Sequence, residues 1–225
     1  MKITHYLYFS LLIILHSHSA AASDGSNTAP LEFSMTAEHQ DSQFKFNTIN
    51  YKTRLDTLGV NWYEIFTPYF HAGLEAGYIE MSQLDNPVAA ARYTSGQYAG
   101  FLLRILPVTL THFQLTFDVN YRYNKTQAST SAQNSTFIWH DTSVATKALI
   151  SPFQHISFYG AVEYDFLTGE QNDSGALPQI KPFKQSQEVS YRAGVNFVVD
   201  YTGTITIESI SGYKKGARIL FSRRF

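Results

Sequence analysis

The feature that most constrains this fold is a two-residue alternation between apolar and polar side chains, which recurs along most of the chain. It is clearest from Thr111 to Tyr123, where Phe, Leu, Val and Tyr alternate with His, Gln, Thr, Asp, Asn and Arg. Side chains of a β-strand point alternately to opposite faces, so this segment predicts a strand with one apolar and one polar face. The chain is therefore predicted to be all-β.

The same alternation predicts nine further strands. Their approximate bounds are Leu31–His39, Thr53–Ile65, Phe70–Tyr78, Ala99–Ile105, Thr136–Ile150, Ile156–Phe166, Val189–Phe197, Thr204–Ile210 and Gly216–Phe225. In the second predicted strand two apolar sets compete for one face, since Leu58 and Val60 alternate against Leu55 and Tyr63. The pattern leaves the orientation of that strand open.

The connections between these strands are alternately short and long. Tight links rich in Pro or Gly are predicted at Thr67–Tyr69, Leu106–Val108, Ser151–Phe153 and Asp200–Gly203. Longer polar links are predicted at Gln40–Asn50, Met81–Thr94, Asn124–Ser135 and Thr168–Lys184, with a shorter one at Ser211–Lys215. Four short turns with both chain ends on the same side predict about ten strands. Eight is the alternative, if the two weak N-terminal strands are not both part of the sheet.

The two ends of the chain carry targeting signals. Met1-Lys2 precedes a short apolar run and a series of small residues that ends at Ala22, which predicts a signal peptide over residues 1–22 and a mature domain over 23–225. The last predicted strand ends on Phe225. The chain has no cysteine, so disulfide and thiol chemistry are excluded.

Composition favours a membrane barrel over a soluble β-sandwich. The chain is 15% aromatic and only 16% charged, against about 25% charged in average globular proteins. No stretch after the signal peptide approaches the roughly 20 apolar residues of a membrane helix, so only a closed barrel would satisfy the backbone inside a bilayer. A net charge of −1 gives no reason to expect a nucleic-acid partner.

The signal peptide, alternating strands, asymmetric links and terminal Phe225 together resemble the small Gram-negative outer-membrane barrels of the OmpA/OmpX/opacity-protein type. The resemblance implies a transmembrane antiparallel up-and-down β-barrel with periplasmic turns and extracellular loops. It also implies that Phe221 and Phe225 form part of an assembly signal for the barrel-assembly machinery. Such strands often carry an aromatic residue two positions before the final Phe, where this chain has Arg223.

Polar-face positions of the predicted strands place many charges inside the barrel. The predicted lumen-facing network is Glu75, Arg104, Asp118, Arg122, Asp141, Lys147, Glu163, Arg192, Glu208 and Arg218. A barrel of eight to ten strands is narrow, so these side chains are expected to pair across it and plug the lumen. The alternative is a narrow path for ions or small solutes, in which the same residues would set selectivity.

Three histidines are candidates for a second site. His71, His112 and His155 each follow a predicted periplasmic turn with inward parity, so they are expected to line the periplasmic mouth. They are interpreted as polar interface residues. A pH-sensitive plug or a metal site is the alternative, since imidazole titrates near neutrality and binds metals.

Two catalytic patterns of outer-membrane enzymes were compared with the chain. Paired carboxylates and His/Asp pairs at the extracellular rim would indicate an omptin-like protease, and the nearest pairs are His39 with Asp41 and His140 with Asp141. The lipid A deacylase type uses a His-x-Ser pair, which His155-Ile156-Ser157 matches in letters but not in predicted depth. The prediction is therefore a protein with no catalytic residues, no cofactor and no bound metal.

The predicted function is a non-catalytic, monomeric outer-membrane barrel with a surface, structural or adhesion-like role. Its expected partners are outer-membrane lipid, lipopolysaccharide and the barrel-assembly machinery. The alternative is a narrow ion or solute channel, and the third possibility is a lipid-modifying enzyme. The polar links Asn124–Ser135 and Thr168–Lys184 are candidate recognition loops or plain solvated caps.

Overall fold

A computed structural model of the chain describes residues 30–175, 178–185 and 188–225, so the predicted signal peptide lies outside the described residues. Within them, the chain forms eleven strands and one 3₁₀ turn, Ala89–Ala91. The strands are β1 (Leu31–Phe46), β2 (Ile49–Thr67), β3 (Phe70–Ser82), β4 (Tyr93–Thr109), β5 (Phe113–Ser129), β6 (Gln133–Ile150), β7 (Ile156–Gly175), β8 (Gln179–Gln185), β9 (Val189–Val198), β10 (Gly203–Gly212) and β11 (Lys215–Arg224). None of the described helices is long and apolar enough to cross a membrane.

Ten of these strands close into a ring of antiparallel pairs, which confirms the predicted barrel. Strands β1 to β7 pair in chain order, β9, β10 and β11 follow, and β11 pairs with β1. The closing register places Met35 beside Phe221. The backbone N–H of Phe225 donates to the Leu31 carbonyl at 2.9 Å, so the last residue completes the ladder.

Strand β8 lies outside this ring and changes the width of the barrel. It pairs with the end of β7 at Thr168–Asp173, whereas β9 pairs with the other end of β7. The opposite edge of β8 pairs with β1 at Phe44 and Lys45. The barrel therefore has ten strands in the half that holds Leu31 and Phe225, called here the lower half. It has eight strands, β1 to β8, in the opposite upper half.

The hairpin of β10 and β11 ends at this change of width. The sheet edge of β1 is paired with β11 up to Asp41 and with β8 from Phe44. Tyr213, in the turn between β10 and β11, fills the interval: the N–H of Gln43 donates to its hydroxyl oxygen at 3.1 Å, and the hydroxyl donates to the Gln43 carbonyl. Because Tyr213 pairs with both backbone groups, the interruption leaves neither of them unsatisfied.

The outer surface of the lower half is a continuous apolar belt. Alternation along each strand turns large apolar side chains outward, among them Val60, Trp62, Leu74, Phe101, Leu103, Phe117, Val144, Phe158, Val162, Tyr191, Ile207 and Ile219. The open question about the second predicted strand is thereby answered. Val60 and Trp62 face outward, whereas Leu55 and Tyr63 are buried inside the barrel.

Three of the predicted long links are wrong, because they are extensions of the strands. The segment Gln40–Asn50 belongs mostly to β1 and β2, Asn124–Ser135 to β5 and β6, and Thr168–Lys184 to β7 and β8. Their outward positions are polar, so their sequences resemble those of loops. Their inward positions carry buried aromatic side chains such as Phe44 and Phe137 that hold the strands together above the apolar belt.

One predicted turn is also misplaced. Leu106–Val108 lies inside β4, where the register with β5 shifts between Ile105 and Val108. A bulge of this kind accommodates Pro107, which has no N–H to contribute to the ladder. The turn itself follows three residues later, with backbone hydrogen bonds between Leu110 and Phe113.

Candidate functional site

The lower half of the bore is lined with charged side chains from every ring strand except β2. All ten residues that the sequence singled out as a lumen-facing network line one internal cavity. They lie at inward positions because β-strand alternation places them opposite the apolar belt. The cavity that they enclose has a volume of about 160 Å³, which is room for a few water molecules.

One chain of ion pairs crosses the bore near the lower mouth. The Nη1 of Arg104 lies 3.3 Å from Glu32, and its Nε donates to Asp118 at 3.0 Å. Lys147 approaches the same Asp118 at 3.8 Å, and Arg224 donates to Glu32 at 3.1 Å. The contact between Arg104 and Glu32 joins β4 to β1 across the interior. The other three pairs join neighbouring strands along the wall.

A bidentate pair lies above this chain. Arg122 donates from Nε and Nη2 to the two carboxylate oxygens of Glu75, at 3.0 and 2.9 Å. The guanidinium also stacks 4.3 Å from the ring centroid of Tyr98. Planar, two-point pairing of this kind is the strongest arrangement available to arginine and a carboxylate. It fixes β3, β4 and β5 in register through the bore.

A second chain of ion pairs crosses the opposite side of the bore. Glu208 accepts from Arg218 at 2.9 Å and from the hydroxyl of Tyr159 at 2.5 Å. Arg192 lies between Glu208, at 3.5 Å, and Glu163, which it contacts directly. Strands β9, β10 and β11 are thereby joined to β7.

Lys214 is a member of this network that sequence reasoning missed. It is only 5% exposed, although it occupies the two-residue turn between β10 and β11. Its ammonium donates to Asp165 at 2.6 Å and lies 3.5 Å from Glu163 and 4.0 Å from Asp141. Strand alternation predicts nothing about a turn residue, so the sequence offered no signal for it.

The paired network is balanced in charge. Its seven acidic members are Glu32, Glu75, Asp118, Asp141, Glu163, Asp165 and Glu208, and its seven basic members are Arg104, Arg122, Lys147, Arg192, Lys214, Arg218 and Arg224. Each charge has an opposite neighbour, so the network sets no strong field for ions of either sign.

The upper half of the bore is filled by aromatic and aliphatic side chains. Phe44 stacks on Phe183 with ring centroids 4.9 Å apart, and Trp139 meets Phe44 edge-on at 6.1 Å. The other buried members are Phe46, Leu55, Ile79, Met81, Val88, Ala90, Ala91, Tyr98, Phe137 and Leu167. This aromatic core joins β1 to β4 with β6, β7 and β8, and it occupies the space that a pore would need.

The link between β3 and β4 folds over the aromatic core as a lid. Gln83, fully buried, donates to the Thr53 hydroxyl at 2.9 Å, and Asn86 donates to Gln83 at 2.9 Å and to Gln171 at 3.2 Å. Gln171 in turn donates to Asp173 at 2.9 and 3.0 Å. The lid is therefore attached to β2 on one side and β7 on the other by hydrogen bonds that are satisfied in a dry environment.

Tyr98 marks the boundary between the two halves. Its ring lies directly over two glycines on neighbouring strands, since a methyl group added at Gly59 would be 1.8 Å from its hydroxyl and one at Gly77 would be 2.6 Å from the ring. One side of the ring therefore packs into a glycine-lined recess while Arg122 stacks on it from the bore. The aromatic side chain separates charged contacts below from apolar contacts above.

The three candidate histidines are not brought together. His71 lies inside β3 and is 4% exposed, opposite Arg104 in the ladder. His112 and His155 are exposed and lie in the turns before β5 and β7, where His112 contacts the Ser151 carbonyl at 2.9 Å. The expectation that all three share inward strand positions is wrong, because β5 and β7 begin one residue later. The described residues contain no group of three His, Asp or Glu side chains that could hold a metal ion.

The residues considered for catalysis are also dispersed. His140 faces outward, with its Nδ1 2.6 Å from the hydroxyl of Tyr121, while the adjacent Asp141 faces the bore. His39 lies 2.5 Å from Asp56 on the outer wall rather than in a cleft. Ser157 accepts a hydrogen bond from Asn196, and Glu163 is engaged by Arg192 and Lys214.

The C-terminal strand ends against the turn that precedes β10. Arg223 donates to the Thr202 hydroxyl at 3.1 Å, and its guanidinium lies 6.0 Å from the Phe225 ring. Asp200 in this turn accepts from the N–H groups of Thr202 and Gly203 at 2.8 and 2.7 Å. These hydrogen bonds stabilise the carboxylate and hold the pKa of Asp200 below its ordinary value.

Comparison with known proteins gives likeness in structure only. No protein-family model and no curated protein matches the chain. The outer-membrane protease OmpT from Escherichia coli is 9% identical with a TM-score of 0.51, covering 92% of this chain and 99% of its own. The translocator domain of the autotransporter NalP from Neisseria meningitidis is 11% identical with a TM-score of 0.49, covering 99% and 98%. OprG from Pseudomonas aeruginosa is 13% identical with a TM-score of 0.48, covering 88% and 97%.

Identities this low carry no inference about activity. The closed ring of strands, the outward apolar belt and the likeness to OmpT all concern the architecture of the barrel. The chain therefore has the fold of the small β-barrels known from the Gram-negative outer membrane.

Proposed function

We propose that the protein is a closed, non-conducting barrel of the outer membrane, with a structural and surface role rather than a transport or catalytic one. The observation that carries this proposal is the aromatic core in the upper half of the bore. Phe44, Trp139 and Phe183 meet across the interior, and Phe137 and Trp139 are 0% and 1% exposed. A permeating ion would have to cross a packed apolar layer without partners for its charge.

The lid and the charged network support the same proposal. The segment between β3 and β4 covers the aromatic core from outside through Gln83 and Asn86. The ion pairs below it engage every charged side chain that lines the internal cavity except Glu38, among the described residues. The outward faces of the upper strands lie above the apolar belt and are polar. They are therefore the surface that is available for polar contacts with a partner.

A narrow channel is the second candidate, and one observation favours it. The cavity of about 160 Å³ among the ion pairs is lined mostly by polar side chains and reaches up to Trp139 of the aromatic core. In a channel this cavity would be one water-filled segment of the path, and the aromatic core would be a gate above it.

Planar-bilayer conductance of the refolded barrel separates the two. We expect no discrete openings for the wild-type protein. A variant with Phe44→Ala, Phe137→Ala and Trp139→Ala together empties the aromatic core and is expected to produce openings, provided that it keeps the gel-mobility shift of a folded barrel. Discrete openings of the wild-type protein at ordinary voltages would overturn the closed-barrel proposal.

A further inference from the structure

One wall of the lower bore carries polar side chains that have no partner within the protein. On the inner faces of β1 and β2, the cavity-lining side chains that form no hydrogen bond and no ion pair with any described residue are Ser34, Thr36, Glu38, Gln40, Thr57 and Asn61. This set is called here the polar wall. Ser34, Thr36 and Gln40 are only 2%, 8% and 8% exposed. Because buried polar side chains nearly always have a partner, these groups indicate water or a bound molecule in the cavity.

Glu38 gives the polar wall a negative charge that no ion pair compensates. It is opposite Arg218 in the ladder, but Arg218 is turned toward Glu208, at 2.9 Å. The other arginines of the cavity are also paired with carboxylates of their own. Because the seven acidic and seven basic members of the network cancel, Glu38 leaves the cavity with one negative charge in excess. An enclosed carboxylate without a partner is costly, and a bound cation removes that cost.

Tyr98 adds a second buried polar group beside Glu38. Its hydroxyl lies over Gly59, which is the residue opposite Thr36 in the ladder. The side chain is 4% exposed, and its hydroxyl makes no hydrogen bond with any described residue. The phenol oxygen and the amide of Gln40 therefore lie on the same side of the cavity as the free carboxylate.

The cavity beside the polar wall has the size of a small organic molecule. Its volume is about 160 Å³, and cavities of about 150 Å³ in other proteins hold a molecule as large as benzene. The lining runs from Glu32, whose ladder partner is Arg224 near the lower mouth, up to Trp139 in the aromatic core. Because the aromatic core closes the upper end, a ligand reaches the cavity from the lower mouth.

The polar wall also indicates the chemistry of its ligand. Glu38 is its only acidic member, and the described residues contain no group of three His, Asp or Glu side chains that could hold a metal ion. An organic ammonium group suits one carboxylate better, because its remaining N–H groups can donate to the neighbouring hydroxyl and amide oxygens. Hydroxyl and amide side chains both donate and accept hydrogen bonds, so the rest of the wall matches hydroxyl groups on the ligand.

We propose that the polar wall binds a small amino alcohol, that is, a primary ammonium compound with one or two hydroxyl groups. The ammonium group binds Glu38 and the hydroxyl of Tyr98, and the ligand hydroxyls bind Thr36, Thr57 and Gln40. The ligand enters from the lower mouth and is held below the aromatic core. Binding in the lower bore goes beyond the closed-barrel function, because it occurs whether or not ions pass the aromatic core.

The test compares two ligands of the same shape in the full-length barrel, refolded in micelles of a non-ionic detergent at neutral pH. 2-Amino-1,3-propanediol has an ammonium group where glycerol has its central hydroxyl, so the pair isolates the positive charge. By isothermal titration calorimetry, the wild-type protein is expected to bind the amino alcohol at least about tenfold more tightly than glycerol. Glu38→Gln is expected to lose this preference. The matched control is Glu64→Gln, at an exposed outward position of β2, which is expected to keep it.

Three results of this titration would overturn the site. The first is a preference that survives Glu38→Gln in a variant with the gel-mobility shift of a folded barrel. The second is equal affinity for the two ligands, or no saturable binding of either, since water alone then fills the cavity. The third is loss of the preference in potassium chloride at the concentration of the amino alcohol, which would indicate a site for any monovalent cation.

The position of the ligand is measured through the side-chain amide of Gln40. In ¹⁵N-labelled protein its NMR signal is expected to shift with the amino alcohol in the wild type and to stay in place in Glu38→Gln. Tyr98→Phe removes only the hydroxyl and is expected to weaken binding several-fold, because a buried hydrogen bond is lost. An unshifted Gln40 signal or an unchanged affinity of Tyr98→Phe would overturn the assigned contacts. Conductance is measured separately, so failure of the binding site and failure of the closed barrel are distinguishable.

Discussion

The upper and lower halves of the barrel use the same alternation with opposite orientation. In the lower half apolar side chains face outward, as Leu74 does on β3 and Val144 on β6, while the bore is charged. In the upper half apolar side chains face inward, as Met81 does on β3 and Phe137 on β6, while the outer face is polar. The difference follows from the surroundings, because lipid covers one outer surface and water the other. A strand that passes from lipid into water must transfer its apolar side chains from the outside to the inside.

The largest expected effect comes from breaking the aromatic core. Phe137→Ala removes a fully buried ring and is expected to lower the free energy of unfolding by about 3–5 kcal/mol, since a cavity forms that the surroundings cannot fill. Phe101 on β4 is the matched control in the lower half, where it faces outward and is 62% exposed. Lipid chains fill the space left by Phe101→Ala, so a smaller loss is expected. Urea unfolding in lipid vesicles measures both, and equal losses would contradict the distinction between the halves.

The next effect comes from breaking an ion pair in the lower half. Glu75→Gln leaves Arg122 without its bidentate partner and is expected to cost about 3 kcal/mol, because a charge in the bore loses its compensation. Arg54→Met breaks the exposed pair with Asp41 and is expected to change the urea midpoint much less, because solvent screens an exposed pair. The double variant E75Q/R122M should recover most of the loss. If it is as unstable as Glu75→Gln alone, packing and not charge is responsible.

A third test addresses the boundary between the halves. Gly59→Val places a branched side chain where the Tyr98 hydroxyl lies and is expected to cost about 1–3 kcal/mol through overpacking. The control is Gly160→Val, at an outward position with nothing within 4 Å of an added methyl group, for which a change within about 0.5 kcal/mol is expected. Near-ultraviolet circular dichroism should show a changed tyrosine environment in the first variant only. An unchanged midpoint for Gly59→Val would mean that Tyr98 moves freely and does not separate the halves.

The smallest effect is expected at the turn below the barrel. Hydrogen bonds from Thr202 and Gly203 lower the pKa of Asp200 from its ordinary 3.8. The carboxylate therefore stabilises the turn above that pH, and the contribution is lost as the pH falls through the lowered pKa. We expect Asp200→Asn to have a lower urea midpoint than the wild type near neutral pH. The gap should close at more acidic pH, where both side chains are uncharged. A gap that is constant with pH would assign the effect to geometry instead.

The sequence predicts the lower half well for a physical reason. Lipid outside and a polar bore inside impose opposite preferences on successive residues, so Phe113 to Tyr123 and Phe70 to Tyr78 are readable as strands without further information. The upper half is harder to predict because its outward residues resemble those of loops. The upper half has its own signal, which is a change of phase: apolar residues occupy even positions from Phe70 to Tyr78 and odd positions at Ile79 and Met81.

Other features had no signal in the sequence. Lys214 occupies a turn, where alternation predicts no direction, and its burial depends on three carboxylates from β6 and β7. The opposition of Lys45 and Lys184 depends on where β8 meets β1, which is a pairing between segments about 140 residues apart in the chain.

The sequence by itself determined a closed antiparallel barrel, its apolar belt and the inward charges, because each follows from local alternation in a chain that must satisfy its backbone inside lipid. The tertiary structure alone decided how the bore is filled and how wide it is. It splits one strand into β8 and β9, reduces ten strands to eight, and closes the bore with an aromatic core contributed by distant segments. Those outcomes depend on which edges pair and which side chains meet across the interior, and neither is encoded in the period of any single strand.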